Sequence, residues 1–400
     1  MRTSFTTRRS VAAVVTVVLS VILATACHAV VLNDAYFTAS GGDVNTVAGT
    51  LDAGYSAARA YSFSPQFLSV GTLGFCTATW LGNDISVNKS YFLTAAHCCE
   101  DSPPAPTRNL SVTFTGWNGE VVTSGSAVFH LPPERVNVPP GYGGASTDIG
   151  ILEMPGLAVI RDALGTPVER PLLYDGSGEL GVVNSFVGYG SWGIGSQGSN
   201  GGLFPSSGPR RAGATNTVSS IFEQNHGLGT AFNAPGTGDA TPAEASVASG
   251  DSGSAWWQQH AGRWTIVGVT NGGSGTTYGT GSTASRVSGY IDWIRSIYRV
   301  AQLYSEDLNG LNADINGDRV VSAPGDVNAF VAQWRQRSFP DGPNPADLNQ
   351  DGLVNLPDAL LLHNSLSAVG QTFDFSMLAV PEPSLAMTLV GLLGLLPWAR

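Results

Sequence analysis

The sequence predicts an all-β domain followed by a small α-helical domain. Only 12% of the 400 residues are charged and 50 are glycine, a composition that favours short strands joined by turns. Short apolar runs recur through residues 66–300, at 67–70, 111–114 and 265–269 for example, between clusters of Gly, Pro, Asn and Ser. Such spacing is typical of a sandwich or barrel. After Asp307 the pattern changes to Asp-rich loops followed by helical spacing of apolar residues.

The charge distribution excludes several classes of function. The formal net charge is −11, and Lys89 is the single lysine among 19 basic residues. An acidic chain without a basic cluster is unsuited to nucleic acid or to an anionic membrane surface. No apolar run is long enough for a standard spanning helix, which excludes a multi-span membrane protein. We therefore expect no nucleic-acid partner, and membrane contact only through the terminal segments.

The N-terminus has the pattern of a secretory signal. Arg2, Arg8 and Arg9 precede the apolar run 11–23, and small residues follow over 24–29. This order predicts a signal peptide over residues 1–29. Cleavage after Ala26 and cleavage after Ala29 both fit the pattern, and an uncleaved membrane anchor is the alternative. Residues 30–65 are then expected to be an N-terminal extension or propeptide.

Three short strings, at 93–98, 147–152 and 250–254, contain side chains suited to nucleophilic catalysis. A serine is a weak nucleophile and needs an adjacent base. An imidazole suits that role near pH 7, and an acid orients the imidazole and stabilises its protonated form. These side chains are Ser252, His97 and Asp148. The backbone N–H groups of Gly250 and Ser252 are candidates for an oxyanion hole.

In this order and spacing the strings resemble the trypsin/chymotrypsin-like serine peptidases. The resemblance implies a double six-stranded β-barrel over residues 66–300, with a short C-terminal helix at 290–298. It also implies that His97 is the general base, that Asp148 orients it and that Ser252 is the nucleophile. An esterase on the same fold is a narrower alternative that the residues do not separate from a peptidase.

Four cysteines bear on the same region: Cys27 in the signal, then Cys76, Cys98 and Cys99. In an exported chain, Cys76 and a cysteine of the adjacent pair at 98–99 suggest one disulfide. The family resemblance implies that the bond joins Cys76 to Cys98, directly after the histidine. Cys99 is left over and competes for Cys76.

Activation and specificity are less evident from the sequence. In secreted zymogens of the resembled family, cleavage before an Ile/Val-Val-Gly-Gly start yields an ammonium that pairs with the acid before the nucleophile, here Asp251. The nearest candidate is 47–50, and no basic residue precedes it. The same resemblance places an uncharged, small substrate pocket that does not select Arg or Lys. Its predicted residues are Ser246, Thr270, Asn271, Gly272 and Ser282.

The Asp-rich region has the oxygen-rich loop pattern that a hard Ca²⁺ ion requires. The first loop offers Asp314, Asn316, Asp318, the carbonyl of Val320, Ser322 and Asp326, the last one residue late. The second offers Asp347, Asn349, Asp351, the carbonyl of Leu353, Asn355 and Asp358. Apolar helical spacing follows each loop. Residues 307–370 thus resemble a dockerin type I domain, which implies structural Ca²⁺ and a cohesin-like partner. A solvated acidic linker is the alternative.

The C-terminus combines Pro381-Glu382-Pro383, an apolar stretch over 385–398 and Arg400. Residues 380–400 therefore resemble a PEP-CTERM sorting tail, which implies processing by an exosortase-type enzyme. A plain membrane tail is the alternative. Together with the signal, this predicts a secreted or envelope-attached protein that is only transiently anchored.

These observations predict an exported serine endopeptidase that acts on protein or peptide substrates through an acyl-enzyme. No cofactor is expected in the chemistry. The rival hypothesis is a catalytically inactive surface or matrix protein whose dockerin-like module is the functional part.

Overall fold

The computed structural model describes residues 30–98, 107–114, 121–136, 144–165, 168–200, 211–308, 313–318, 320–337, 344–349 and 352–378. The predicted signal, the sorting tail and Cys99 lie outside these residues. Within the described part, no helix is long and apolar enough to cross a membrane.

Strands dominate the residues up to 286. They are β1 (Val31–Leu32), β2 (Val70–Thr72), β3 (Thr77–Asp84), β4 (Lys89–Thr94), β5 (Thr107–Thr113), β6 (Val121–His130), β7 (Gly150–Pro155), β8 (Leu172–Leu173), β9 (Val183–Gly188), β10 (Trp192–Ile194), β11 (Gly198–Asn200), β12 (Ala212–Phe222), β13 (Gly227–Ala231), β14 (Ala245–Ser246), β15 (Ala255–His260), β16 (Arg263–Gly273) and β17 (Gly281–Arg286).

The helices are short and lie mainly at the two ends of the described chain. They are α1 (Asp34–Ala39), α2 (Val47–Gly54), α3 (Ser56–Ser62), α4 (Pro133–Val136), α5 (Ile291–Ile297), α6 (Tyr304–Leu308), α7 (Gly325–Gln333) and α8 (Leu356–Ala368).

The first barrel is closed, with strand order β2-β3-β4-β7-β6-β5. Its interior is filled by alternate side chains of these strands, among them Trp80, Phe92 and Leu152. Alternation along each strand places one set of residues inside and the next outside. The antiparallel pairing of β4 with β7 sets Thr94 opposite Gly150, which matters for the site described below.

The second barrel is a ring of six strands in the order β15-β9-β12-β13-β17-β16, closed by pairing of β15 with β16. β8 extends this sheet beside β16. Trp256 and Phe186 are completely buried inside it. The predicted double six-stranded barrel is therefore confirmed. Between the barrels, Val70 and Leu93 of the first pack with Trp257 and Val269 of the second.

Residues 30–65, predicted to be an N-terminal extension or propeptide, pack against the second barrel. β1 lies between β10 and β14 in a separate four-stranded sheet. Val30, Leu32 and Phe37 are completely buried in the same core as Trp256. Burial of these apolar side chains contributes to the stability of the domain.

Helix α5 lies where the sequence predicts a helix, at 290–298, and buries Ile294 against the core between the barrels. Beyond it, α7 and α8 pack around a separate apolar cluster that includes Phe330, Leu362 and Leu366, all completely buried. The apolar spacing after each Asp-rich loop thus forms one face of a helix, as expected.

Candidate active site

His97 and Asp148 lie side by side at the end of the first barrel. His97 is on the turn Ala96–Cys98 that follows β4, and Asp148 comes just before β7. Because β4 and β7 are paired, the two chain segments leave the sheet together. His97 Nδ1 is 2.6 Å from Asp148 Oδ2, and the backbone N–H of His97 donates to Asp148 Oδ1 at 2.8 Å.

This double contact defines the chemistry that the imidazole can perform. A carboxylate at Nδ1 keeps the proton on that nitrogen, so Nε2 is left as the base. The His97 side chain is 38% exposed and that of Asp148 only 10%. The imidazole is therefore accessible to a substrate, while the acid behind it is shielded from water.

Arg135 is a neighbour of Asp148 that the sequence did not indicate. Its side chain is buried, and Nη2 lies 3.9 Å from Asp148 Oδ1. Arg135 belongs to the four-residue helix α4, far from the conspicuous strings. No local pattern could have identified it.

The loop that carries Asp148 is held by the second barrel. Ser285 Oγ donates to the carbonyl of Ala145 at 3.0 Å, and Tyr290 donates to the carbonyl of Ser146 at 2.9 Å. Asn271 Nδ2 also donates to the carbonyl of Ala145. The position of the acid thus depends on how the two barrels are docked.

Ser252 lies in a tight turn before β15. Gly250 and Gly253 have φ of +97° and +86°, a region that side chains disfavour. A Cβ at Gly253 would lie 2.1 Å from the carbonyl oxygen of Thr77. The glycines of the Gly-Asp-Ser-Gly string are therefore required by the turn and by its close approach to the first barrel.

Two hydrogen bonds dock this turn on the start of β3. The N–H of Thr77 donates to the carbonyl of Ser252 at 2.8 Å, and its hydroxyl donates to the carbonyl of Gly250 at 3.0 Å. Thr77 follows Cys76, which is bonded to Cys98, the neighbour of His97. The expected disulfide is therefore present, and it links the segments that position the serine and the histidine.

The predicted oxyanion donors are available for a ligand. Within the turn, Asp251 N–H donates to Ala248 and Gly253 N–H donates to Thr270. Among the described residues, neither Gly250 N–H nor Ser252 N–H donates to another protein group. These two amides are the pair that the sequence suggested for an oxyanion hole.

A metal centre is the alternative use of this cluster. Cys76, His97 and Cys98 have ligand atoms within 4.8 Å of one another, the one such group among the described residues. Zinc and other soft metals bind cysteine as the thiolate. Because both sulfurs are in the disulfide, this group does not fit a metal.

The structure brings together two of the five predicted pocket residues by their side chains. Ser246 Oγ is 3.1 Å from Ser282 Oγ, which also accepts from Val247 N–H at 3.1 Å. Both hydroxyls are buried. The two hydroxyls, which the sequence predicts at a pocket base, carry no charge.

The side chains of Thr270 and Asn271, also predicted at the pocket, form hydrogen bonds with neighbouring side chains. Thr270 Oγ1 is 2.7 Å from Ser254 Oγ and accepts from the indole N–H of Trp256 at 2.9 Å. The side chain of Asn271 reaches the Asp148 loop and accepts from Thr283 Oγ1 at 2.6 Å.

Comparison with known proteins agrees with this geometry. A family model described as Trypsin matches residues 56–294, more than half of the chain. A solved structure of a Glu endopeptidase in complex with MPD is 18% identical, covering 60% of this chain and 94% of its own, with a TM-score of 0.41. That degree of likeness adds nothing on specificity. No curated protein matches the chain.

Proposed function

The chain belongs to the Trypsin family, and from this membership we propose that it is an exported serine endopeptidase with a calcium-binding dockerin-like module. The observation that carries the enzymatic part is the double contact of Asp148 with the ring and the backbone of His97. A structural histidine on a surface turn has no need of such a buried acid.

In the proposed reaction, Ser252 Oγ attacks the carbonyl carbon of a peptide bond while His97 Nε2 takes the hydroxyl proton. The developing oxyanion accepts from the N–H groups of Gly250 and Ser252. His97 then gives the proton to the leaving amine, and an acyl group remains on Ser252. Water attacks this ester with His97 again as base, which releases the acid and restores the serine.

The proposed substrates are proteins or peptides. The side chain of the residue before the cleaved bond would bind in a pocket that offers it no opposite charge. Ser246 and Ser282 present hydroxyls at the pocket base. An uncharged pocket lacks the counter-charge that would favour Arg or Lys. A library of peptides varied at this residue tests the point, and preferred cleavage after Arg or Lys would contradict it.

The C-terminal loops fit calcium by the chemistry of their donors. Asp314, Asn316 and Asp318 lie together in the first loop, and Asp314 Oδ1 accepts from the N–H groups of Gly317 and Asp318 at 2.8 and 3.1 Å. In the second loop, Asp347 Oδ2 accepts from Gly352 N–H at 3.0 Å. Carboxylate, amide and carbonyl oxygens are the ligands that Ca²⁺ takes. Asp351 lies outside the described residues.

The late aspartate of the first loop occupies the same place as its counterpart in the second. Asp326 accepts from Ile315 and Ser322, at the beginning and end of its loop. Asp358 likewise accepts from Asn349 and Asn355. The extra residue is taken up by the turn before Gly325, so both loops are closed alike. We propose that Ca²⁺ stabilises them, and that a cohesin-like partner binds the module.

Export by the signal and processing of the tail by an exosortase-type enzyme complete the proposal. They would leave the peptidase secreted or attached to the envelope.

Labelling with a fluorophosphonate, which reacts with an activated serine, tests the enzymatic part. The exported full chain is compared with Ser252→Ala, His97→Ala and the matched control Ser249→Ala, an exposed serine on the same loop. We expect the parent and Ser249→Ala to be labelled and the other two not. Absence of labelling in every form would favour the rival hypothesis of an inactive binding protein.

A further inference from the structure

The segment that leads from the peptidase domain to the C-terminal module is itself packed on the second barrel. Leu303 is buried in the core between the barrels and forms a parallel bridge with Leu173 of β8. Arg295 of α5 donates through both terminal nitrogens to the carboxylate of Glu306 on α6. The chain therefore enters the module from a fixed position.

A second contact with the peptidase domain lies inside the module, in its second Asp-rich loop. Arg170, just before β8, donates through Nη2 to the carbonyl of Leu348 at 2.8 Å and through Nη1 to the carbonyl of Val300 at 3.2 Å. A Cβ at Gly82 of β3 would lie 2.7 Å from Cδ of Arg170. The first barrel thus leaves room for this arginine, whose guanidinium joins the segment after α5 to the module.

Leu348 lies between two of the predicted calcium ligands. It follows Asp347 and precedes Asn349, and its side chain belongs to the apolar core of the module. Its carbonyl is the group that accepts from Arg170. Carboxylate and amide side chains that bind Ca²⁺ are held in a defined geometry. Binding by the ligands on either side of Leu348 would therefore also fix the peptide unit that Arg170 contacts.

The two Asp-rich loops differ in exposure at corresponding positions. Asn349 is only 4% exposed, whereas its counterpart in the first loop, Asn316, is exposed. Asp347 lines a cleft of about 340 Å³ together with Arg170 and Arg299 of the peptidase domain. The beginning of the second loop thus faces the peptidase domain.

We propose that the second Asp-rich loop is a calcium-dependent clasp, which holds the module on the peptidase domain through Arg170. A loop whose backbone is already held by Arg170 loses less conformational freedom when it binds the ion. Docking and calcium binding therefore favour each other, and by linkage each strengthens the other by the same factor. The inference rests on the proposed calcium-binding module and specifies the surface by which this module is attached.

Charge alone would have the opposite effect. Arg170 and Arg299 are cations in the cleft beside Asp347, so each would repel Ca²⁺. Arg299 is exposed, and salt and water screen such repulsion. Within the described residues, the hydrogen bond to Leu348 belongs to Arg170 and not to Arg299. The two arginines therefore allow the hydrogen bond to be separated from the charge.

Calcium titration calorimetry of the full chain tests the proposal. Asn316→Ala removes a ligand of the first loop, so that binding to the second loop can be followed. In this background, Arg170→Gln is compared with the matched control Arg299→Gln, which removes the same charge from the same cleft. We expect Arg170→Gln to bind calcium at least about fivefold more weakly. We expect Arg299→Gln to bind it as tightly as its parent or more tightly.

Hydrogen exchange provides a test that does not depend on the folding of the Arg170 variant. We expect calcium to slow backbone exchange over residues 168–173 and 298–303 in the parent and in Asn316→Ala. It should not do so in Asn349→Ala, which lacks a ligand of the second loop.

Three results would overturn the proposal: equal calcium affinity of the two arginine variants, tighter binding by Arg170→Gln, or unchanged exchange of these segments when the parent binds calcium. Each of them would leave the proposed calcium-binding module intact. Absence of calcium binding to the parent would contradict both the module and the clasp.

Discussion

The turn before Ser252 and the first Asp-rich loop of the C-terminal module bury an aspartate in the same way. Asp251 and Asp326 are both completely buried, and each accepts from three backbone N–H groups. The donors of Asp326 come from at most 11 residues away, whereas those of Asp251 include residues 61 and 221 positions away. Asp326 therefore closes a local loop. The contacts of Asp251, in contrast, form only when distant segments of the peptidase domain have packed together.

The largest effect is expected in the pH dependence of stability. Burial raises the pKa of Asp251 from 3.8 to about 7. A raised carboxyl pKa gives stability that is present below about pH 4 and is lost as the pH rises to about 7. At 1.36 kcal/mol per unit, the loss amounts to at most about 4 kcal/mol.

The parent chain should therefore lose stability between these pH values relative to Asp251→Asn, whose side chain does not titrate. Denaturant unfolding of both at several pH values measures the difference, in which the other titrating groups cancel. Parallel pH profiles would contradict a raised pKa of Asp251.

Asp326→Ala should come next in size. It leaves three N–H groups without their acceptor, of which that of Ile315 is buried, and this costs on the order of 3 kcal/mol. We expect faster hydrogen exchange in α7 and in the loop before it, with unchanged fluorophosphonate labelling. Asp374→Ala, at an exposed aspartate just after the module, should change neither. Impaired labelling in Asp326→Ala would show that the two regions are coupled.

Calcium should act on one region alone. At a hundred times its dissociation constant, a ligand stabilises the state that binds it by about 2.7 kcal/mol. Calorimetry of the full chain with calcium and with a chelator should show an upward shift in the unfolding of the module. The labelling rate of Ser252 should not change. Equal unfolding profiles in the two conditions would contradict calcium binding.

The smallest effect is expected at Arg135. Its Nη2 lies 3.9 Å from Asp148 Oδ1, which is too far for a direct hydrogen bond. The contacts of Asp148 to His97, at 2.6 and 2.8 Å, are much closer. Arg135→Met should therefore lower the labelling rate less than about tenfold, a difference of about 1.4 kcal/mol. A loss as large as that of His97→Ala would make Arg135 a principal positioning residue.

Local strings were the most predictable part of the molecule. His97, Asp148 and Ser252 each lie within a short stretch whose neighbours share the task, as Gly253 does by allowing the approach of Thr77. The resemblance of these strings to the trypsin-like peptidases also predicted the disulfide, the two barrels and α5. The prediction was possible because each string is recognised from a few residues that are adjacent in the chain.

The structure added what depends on distant segments. Val30 meets Asp251 across 221 residues, and Arg135 reaches Asp148 from a helix without any motif. Nothing near Val30 indicates that it is buried under a second barrel, so residues 30–65 were expected to be an extension. The orientation of Thr270 depends on a strand register that spacing alone does not determine.

The disulfide between Cys76 and Cys98 has a consequence for the host cell. It ties the start of β3, on which the turn of Ser252 docks, to the turn that carries His97, and such bonds persist mainly in oxidising compartments. In a reducing cytoplasm, Cys76 and Cys98 would be thiols, and the segments that position the nucleophile and the base would not be linked. The proposed peptidase would thus gain this link between its nucleophile and its base only after the proposed export.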